Sequence, residues 1–158
     1  MTPTLLGRWH TRLLLYVFIG LPVTFIWGLY QENWQFPPPT DFDSKFIQSF
    51  LFLTCILVLG LLLDIVYMQI QRTHWDQDWP FAYQFFFSII EFLLVYLAID
   101  FDLLWFLFDR VKPPFWDAAC HFAWVFIPSF IALLAGIQIF LVRWRFKGGE
   151  LGRHPIGR

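Results

Sequence analysis

The sequence predicts an all-α protein: a bundle of four transmembrane helices in up-down-up-down order, with short loops and a mobile basic C-terminal tail. Three observations predict it. Of 158 residues, 58% are hydrophobic and 22% aromatic against 15% charged, more apolar surface than a soluble domain of this length hides. The apolar residues gather into four runs, at about 13–30, 46–70, 81–99 and 115–142, each long enough to span ~30 Å of hydrocarbon at ~1.5 Å per residue. The runs lack the alternation of a barrel strand, and only helices or closed barrels satisfy their backbone in lipid. Residues 1–146 then make one four-span domain, and 147–158 a tail.

The first run follows Arg8 and Arg12, a pattern shared with secretory leaders. No small-x-small cleavage site follows it. Trp27, Tyr30 and Trp34 stand there instead, so the reading is a retained first helix. Its Gly20, Thr24 and Gly28 form a small-residue stripe for close helix approach, matched in the fourth run by Ser129, Ala132 and Gly136. Pro22 and Pro128 fall near mid-membrane and imply kinks or, alternatively, a hinge.

The outer loops carry Pro37-Pro38-Pro39 and Pro113-Pro114, each followed by an aspartate and an aromatic-rich helix start, a hint of a duplicated hairpin. Segment Leu103–Asp109 fits either an extension of the third helix or an interfacial piece. Gly148, Gly149, Gly152, Pro155 and Gly157 make the tail a poor helix former.

Orientation follows from the cations. Arg8, Arg12, Arg72, Arg143, Arg145, Lys147, Arg153 and Arg158 fall on one side, against Lys45, Arg110 and Lys112 on the other. The excess marks the cytoplasmic face and puts both termini there. Most tryptophans lie at run ends, the headgroup level that indoles prefer. Arg143, Arg145 and Lys147 either contact anionic lipid or simply obey the same charge rule.

The chemistry-bearing residues concentrate in the second hairpin. Asp64, Tyr67 and Gln71 share one face of the second helix, and Gln84, Ser88 and Glu91 one face of the third, a stripe that Val95 and Ala98 continue. Counting from the connection puts Asp64 level with Ser88 in antiparallel neighbours, so these six polar residues form a buried cluster in the inner half of the membrane. The connection itself carries His74, Trp75, Asp76, Asp78 and Trp79, a histidine and two carboxylates between interfacial indoles.

Carboxylates in hydrocarbon need a partner, a proton or a cation. Three readings compete. In the first, Glu91 is protonated or bonded to Thr24 or Tyr16, and Asp64 pairs with Arg12 or Arg143. In the second, Glu91 and Asp64 take up a proton or cation during transport. In the third, cluster and connection form an active site or cofactor pocket, as in a membrane enzyme that acts on a lipid or isoprenoid substrate through the Trp75–Trp79 segment at the headgroup level. The stretch Trp75-Asp76-Gln77-Asp78-Trp79-Pro80, with Gln84 and Glu91 following, resembles one in small bacterial multi-pass membrane proteins of unassigned activity. The resemblance spans about thirty residues and implies no function, only a bacterial plasma membrane, with a thylakoid equally compatible.

Other chemistries lack support. Nucleotide, zinc-protease and serine-hydrolase motifs are absent. His121 is the only histidine inside an apolar run, which argues against a haem and for a hydrogen-bonded packing residue. His74, Asp76 and Asp78 lack a second histidine or cysteine to complete a metal site, and Cys55 and Cys120 read as buried apolar thiols. No metal or cofactor is expected. A net charge of −1 does not suggest nucleic acid. The leading reading is a non-catalytic accessory, assembly or scaffold component, in contact with lipid and with its own kind or another membrane protein.

Overall fold

A computed structural model of the chain describes residues 5–34, 36–38, 44–73, 81–108 and 112–137, with the backbone alone at 71–73, 81–83, 106, 136 and 137. The described residues are helical and contain no strand. Helix α1 is α-helical over Leu5–Leu15, π-helical over Tyr16–Gly20 and α-helical again over Leu21–Gln31. Helix α2 is Lys45–Thr73, α3 is Phe81–Asp100, α4 is the single turn Trp105–Phe108, and α5 is Phe115–Ile131, widening into a π-helical stretch over Ala132–Ile137.

Three of these, Leu5–Gln31, Lys45–Ile70 and Phe115–Ala135, are long and apolar enough to cross a membrane. The 20 residues of α3 reach ~30 Å at ~1.5 Å each, the hydrocarbon thickness. The chain is therefore a four-helix membrane bundle, with α1 and α3 each packed on α2 and α5 closing against both. Phe18, Leu62, Phe86, Trp124 and Ile131 are exposed on its outside. In water such a surface would be a liability; in lipid it is the expected face.

The core clusters around Phe52, Phe92, Val95, Ile99, Phe108 and Ala118, and the aromatic rings interlock: Phe92 stacks on Phe122 at 4.8 Å and meets Phe52 edge-on at 6.0 Å. Gly28 lets α2 begin directly against α1, since a Cβ there would come within 2.6 Å of the Phe46 ring.

The helix bounds correct several expectations. The first helix begins at Leu5 rather than near 13, so Arg8 and Arg12 lie inside it, not beyond its end. The second and third run slightly past their expected ends, to Thr73 and Asp100. Leu103–Phe108 is not an extension of α3, Asp109 lying outside the described residues: the chain turns over Phe101–Leu104, with Asp102 at φ 58°, and α4 then folds Phe108 into the core, 1% exposed. Cys55 is half-buried, but Cys120 faces outward, so only the first is even partly a packing thiol.

Each of the two helix-interior prolines sits beside a wide turn. Pro22 has no N–H to donate, and one residue earlier the Leu21 N–H reaches back five residues to the Tyr16 carbonyl. Pro128 likewise precedes the π-helical stretch of α5. The prolines are absorbed by loosening the helix locally rather than by breaking it.

Candidate functional site

One face of α1 carries the sequence Arg8, Arg12, Tyr16, Gly20, Thr24, Gly28, every fourth residue, and each of the other three helices of the bundle supplies a partner to it. Near the N-terminal end of α1, Arg12 reaches between α2 and α3. Its Nε donates to Asp64 Oδ2 at 2.8 Å and its Nη2 to Asp64 Oδ1 at 3.0 Å. Nη2 also donates to Glu91 Oε1 at 2.7 Å and Nη1 to Glu91 Oε2 at 2.9 Å. All four carboxylate oxygens thus accept one N–H from a single guanidinium. Only arginine's planar fork can do this; a lysine ammonium has three donors and no fixed plane.

The triad is deep. Asp64 and Glu91 side chains are 3% and 2% exposed, and Arg12 is 23% exposed. Seven residues separate Arg12 from the start of α1, nine separate Asp64 from the end of α2 and ten separate Glu91 from the start of α3. At ~1.5 Å per residue that is about 10–15 Å from the helix ends. Gly60, one turn before Asp64, makes the room: a Cβ there would run into the Arg12 guanidinium and stand 3.0 Å from Glu91 Oε2. The Tyr67 hydroxyl faces the Glu91 carboxylate, and its ring packs against Phe87 at 4.2 Å.

Gln84 and Ser88 lie on the same side of α3 as Glu91. The Ser88 hydroxyl donates to the Gln84 carbonyl within its own helix at 2.9 Å, so it caps no charge. Together with Arg12 and Glu91, these residues edge a cavity of about 130 Å³ between the helices. A smaller cavity, about 40 Å³, lies across the triad and is lined by Arg8, Thr11, Asp64 and Tyr67. Of the six residues expected to cluster, Asp64, Tyr67 and Gln84 line the smaller cavity and Gln84, Ser88 and Glu91 the larger, with Arg12 on both. The side chain of Gln71, the connection His74–Trp79, and Arg143, Arg145 and Lys147 lie outside the described residues, as does the tail 147–158.

The partners differ from those the spacing suggests for Glu91. Arg12 takes both carboxylates, while Thr24 and Tyr16 are engaged elsewhere. The Thr54 hydroxyl donates to the Phe50 carbonyl at 2.7 Å, so the Tyr16 hydroxyl is the donor in its 3.0 Å contact with Thr54 Oγ1. Thr24, with no exposed surface, meets His121 Nε2 at 2.9 Å, and Trp27 stacks on the imidazole at 5.8 Å. His121 is thus a hydrogen-bonded packing residue tying α5 to α1. At the other end of α1, the Trp9 indole N–H donates to the Leu61 carbonyl at 3.1 Å.

The residue that sequence reasoning undervalues is Arg12, which a count of flanking cations places outside the membrane. Its signal is present, because the small-residue stripe continues backwards with the same four-residue step to Tyr16, Arg12 and Arg8. Among the described residues, no three histidine, cysteine, aspartate or glutamate side chains come together as a metal site. No family model, curated protein or solved structure matches the chain. Fold and site define a small integral membrane protein with an ionic lock among three of its helices.

Proposed function

We propose that this protein is a non-catalytic structural component of a membrane assembly, with the Arg12–Asp64–Glu91 lock holding its helices in a fixed arrangement for a partner helix. The observation that carries the reading is the completeness of the lock: both carboxylates spend all their oxygens on one cation. Groups held in this way define helix register rather than exchange protons or attack a substrate. The aromatic exterior supports it, since Phe86, Trp124 and Phe18 offer large flat surfaces for a neighbouring helix. Both termini face the cytoplasm in this reading, of a bacterial plasma membrane or its thylakoid equivalent, and reporter fusions to either end test that. Solubilisation of native membranes in mild detergent should give a species larger than the 18.9 kDa chain with a stoichiometric second protein or a second copy. A monodisperse monomer overturns the proposal.

A second reading, proton- or cation-coupled transport through Glu91 and Asp64, is favoured by the cavity that touches Glu91. Glu91→Gln and Asp64→Asn would then abolish pH-dependent flux in proteoliposomes; flux unchanged in both variants sinks it.

A further inference from the structure

We infer that the cavity beside the lock binds the ring of a neutral prenylated quinone-type amphiphile, with the tail leaving between α3 and α5. This goes beyond a structural role and does not depend on a protein partner. Size comes first. The cavity measures about 130 Å³, close to the ~150 Å³ that accommodates one benzene ring. A single six-membered ring fits.

Chemistry narrows it further. Arginine has five N–H donors, and four are spent on Asp64 and Glu91. The fifth, on Nη1, has no hydrogen-bond partner among the described residues, and Arg12 lines this cavity together with Ser129, another donor-bearing side chain. The carboxylate oxygens, by contrast, are already occupied. Such a rim suits a head that accepts hydrogen bonds, as a ring carbonyl does. Asp64 and Glu91 against Arg12 and the buried Arg8 sum to no net charge, which leaves no excess cation for a phosphate head.

The tail has a path. Phe122, Phe126 and Phe130 form a ladder along α5, stacked at 5.2 and 5.4 Å, on the cavity wall. Phe85, exposed on α3, meets Phe126 at 5.5 Å and Phe130 at 5.7 Å. The ladder and Phe85 thus give the cavity an apolar aromatic wall at the α3–α5 seam, on which a methyl-branched chain can lie.

The test uses the full chain in phosphatidylcholine nanodiscs with a photoreactive azido-benzoquinone. Labelling should saturate, map to the α5 peptide bearing Phe122–Ser129, and be displaced by decyl-benzoquinone but not by dodecylamine or phosphatidylglycerol. Ser129→Phe fills the cavity and should weaken labelling at least about tenfold with helical content unchanged. Ser88→Leu, on the opposite wall, does the same and replaces it if the first variant fails to fold. Non-saturable labelling, equal displacement by the amine or the anionic lipid, or wild-type labelling in a folded filled variant would each overturn the assignment.

Discussion

The two ends of α1 solve the same problem with different chemistry. Both must fasten the helix to neighbours where water is absent. Toward its start, Arg12 joins α2 and α3 through four charge-assisted hydrogen bonds. Toward its end, Thr24 joins α5 through one neutral bond to His121, with Trp27 covering the ring. The charged lock specifies more geometry, since it fixes three helices at once, but each member depends on the other two. The neutral pair specifies less, and losing either half leaves only an uncharged group behind. A charged contact in a membrane is therefore a commitment of the whole cluster, whereas a neutral one is a local convenience.

The sharpest way to break the comparison is Arg12→Met, which strands two carboxylates and should cost about 3–5 kcal/mol, read by unfolding in a detergent–denaturant titration followed by circular dichroism. If the lock is an interdependent unit, the triple variant Arg12→Met, Asp64→Leu, Glu91→Leu should regain most of that loss, because nothing charged remains to desolvate. A triple variant as unstable as Arg12→Met would show that the cluster does more than satisfy itself. Next in size is Gly60→Ala, which pushes the guanidinium off α2 and should cost about 1–3 kcal/mol; wild-type stability would mean the arginine has slack that the geometry does not suggest. Smallest is the coupling between Thr24→Val and His121→Leu in a double-mutant cycle, about 0.6 kcal/mol as for hydrogen bonds inside other membrane bundles. A coupling as large as the effect of Arg12→Met would erase the distinction between the two ends.

Much of this was legible before any coordinates. Four apolar runs of membrane length give four helices because lipid leaves the backbone no other option. The inward faces of α2 and α3 were legible too, since Asp64 and Glu91 cannot face hydrocarbon unassisted. For Asp64 the partner was legible as one of two, Arg12 or Arg143, and Arg12 it is. That the same arginine also takes Glu91 was not legible, because a rule that counts cations treats Arg12 as a flanking residue, while the long arginine stem lets it sit inside the helix and reach two carboxylates. The Thr24–His121 bond was hidden for another reason. Each residue is conspicuous alone, but pairing them requires knowing that α5 closes against α1, a fact of topology that periodicity does not encode. Phe108 was hidden similarly, because the backward turn at Asp102 that buries it involves no glycine.

The wide turn over Tyr16–Gly20 carries one more consequence. In an α-helix a step of four residues overshoots a full revolution by ~40°, so six positions four apart would drift through ~200°. Arg8 through Gly28 has that spacing, and yet Arg8, Gly20, Thr24 and Gly28 are all buried. The π-helical stretch, with more residues to the revolution, takes up the slack and behaves as a spare residue held in the helix. Val17 and Phe18, which bulge toward lipid there, are exposed. Deleting one of them should let the turn close as ordinary α-helix with both flanks still facing inward. The same deletion a few residues away would swing half the helix by ~100°. The protein thus contains a site where its membrane helix can lose a residue and keep its register.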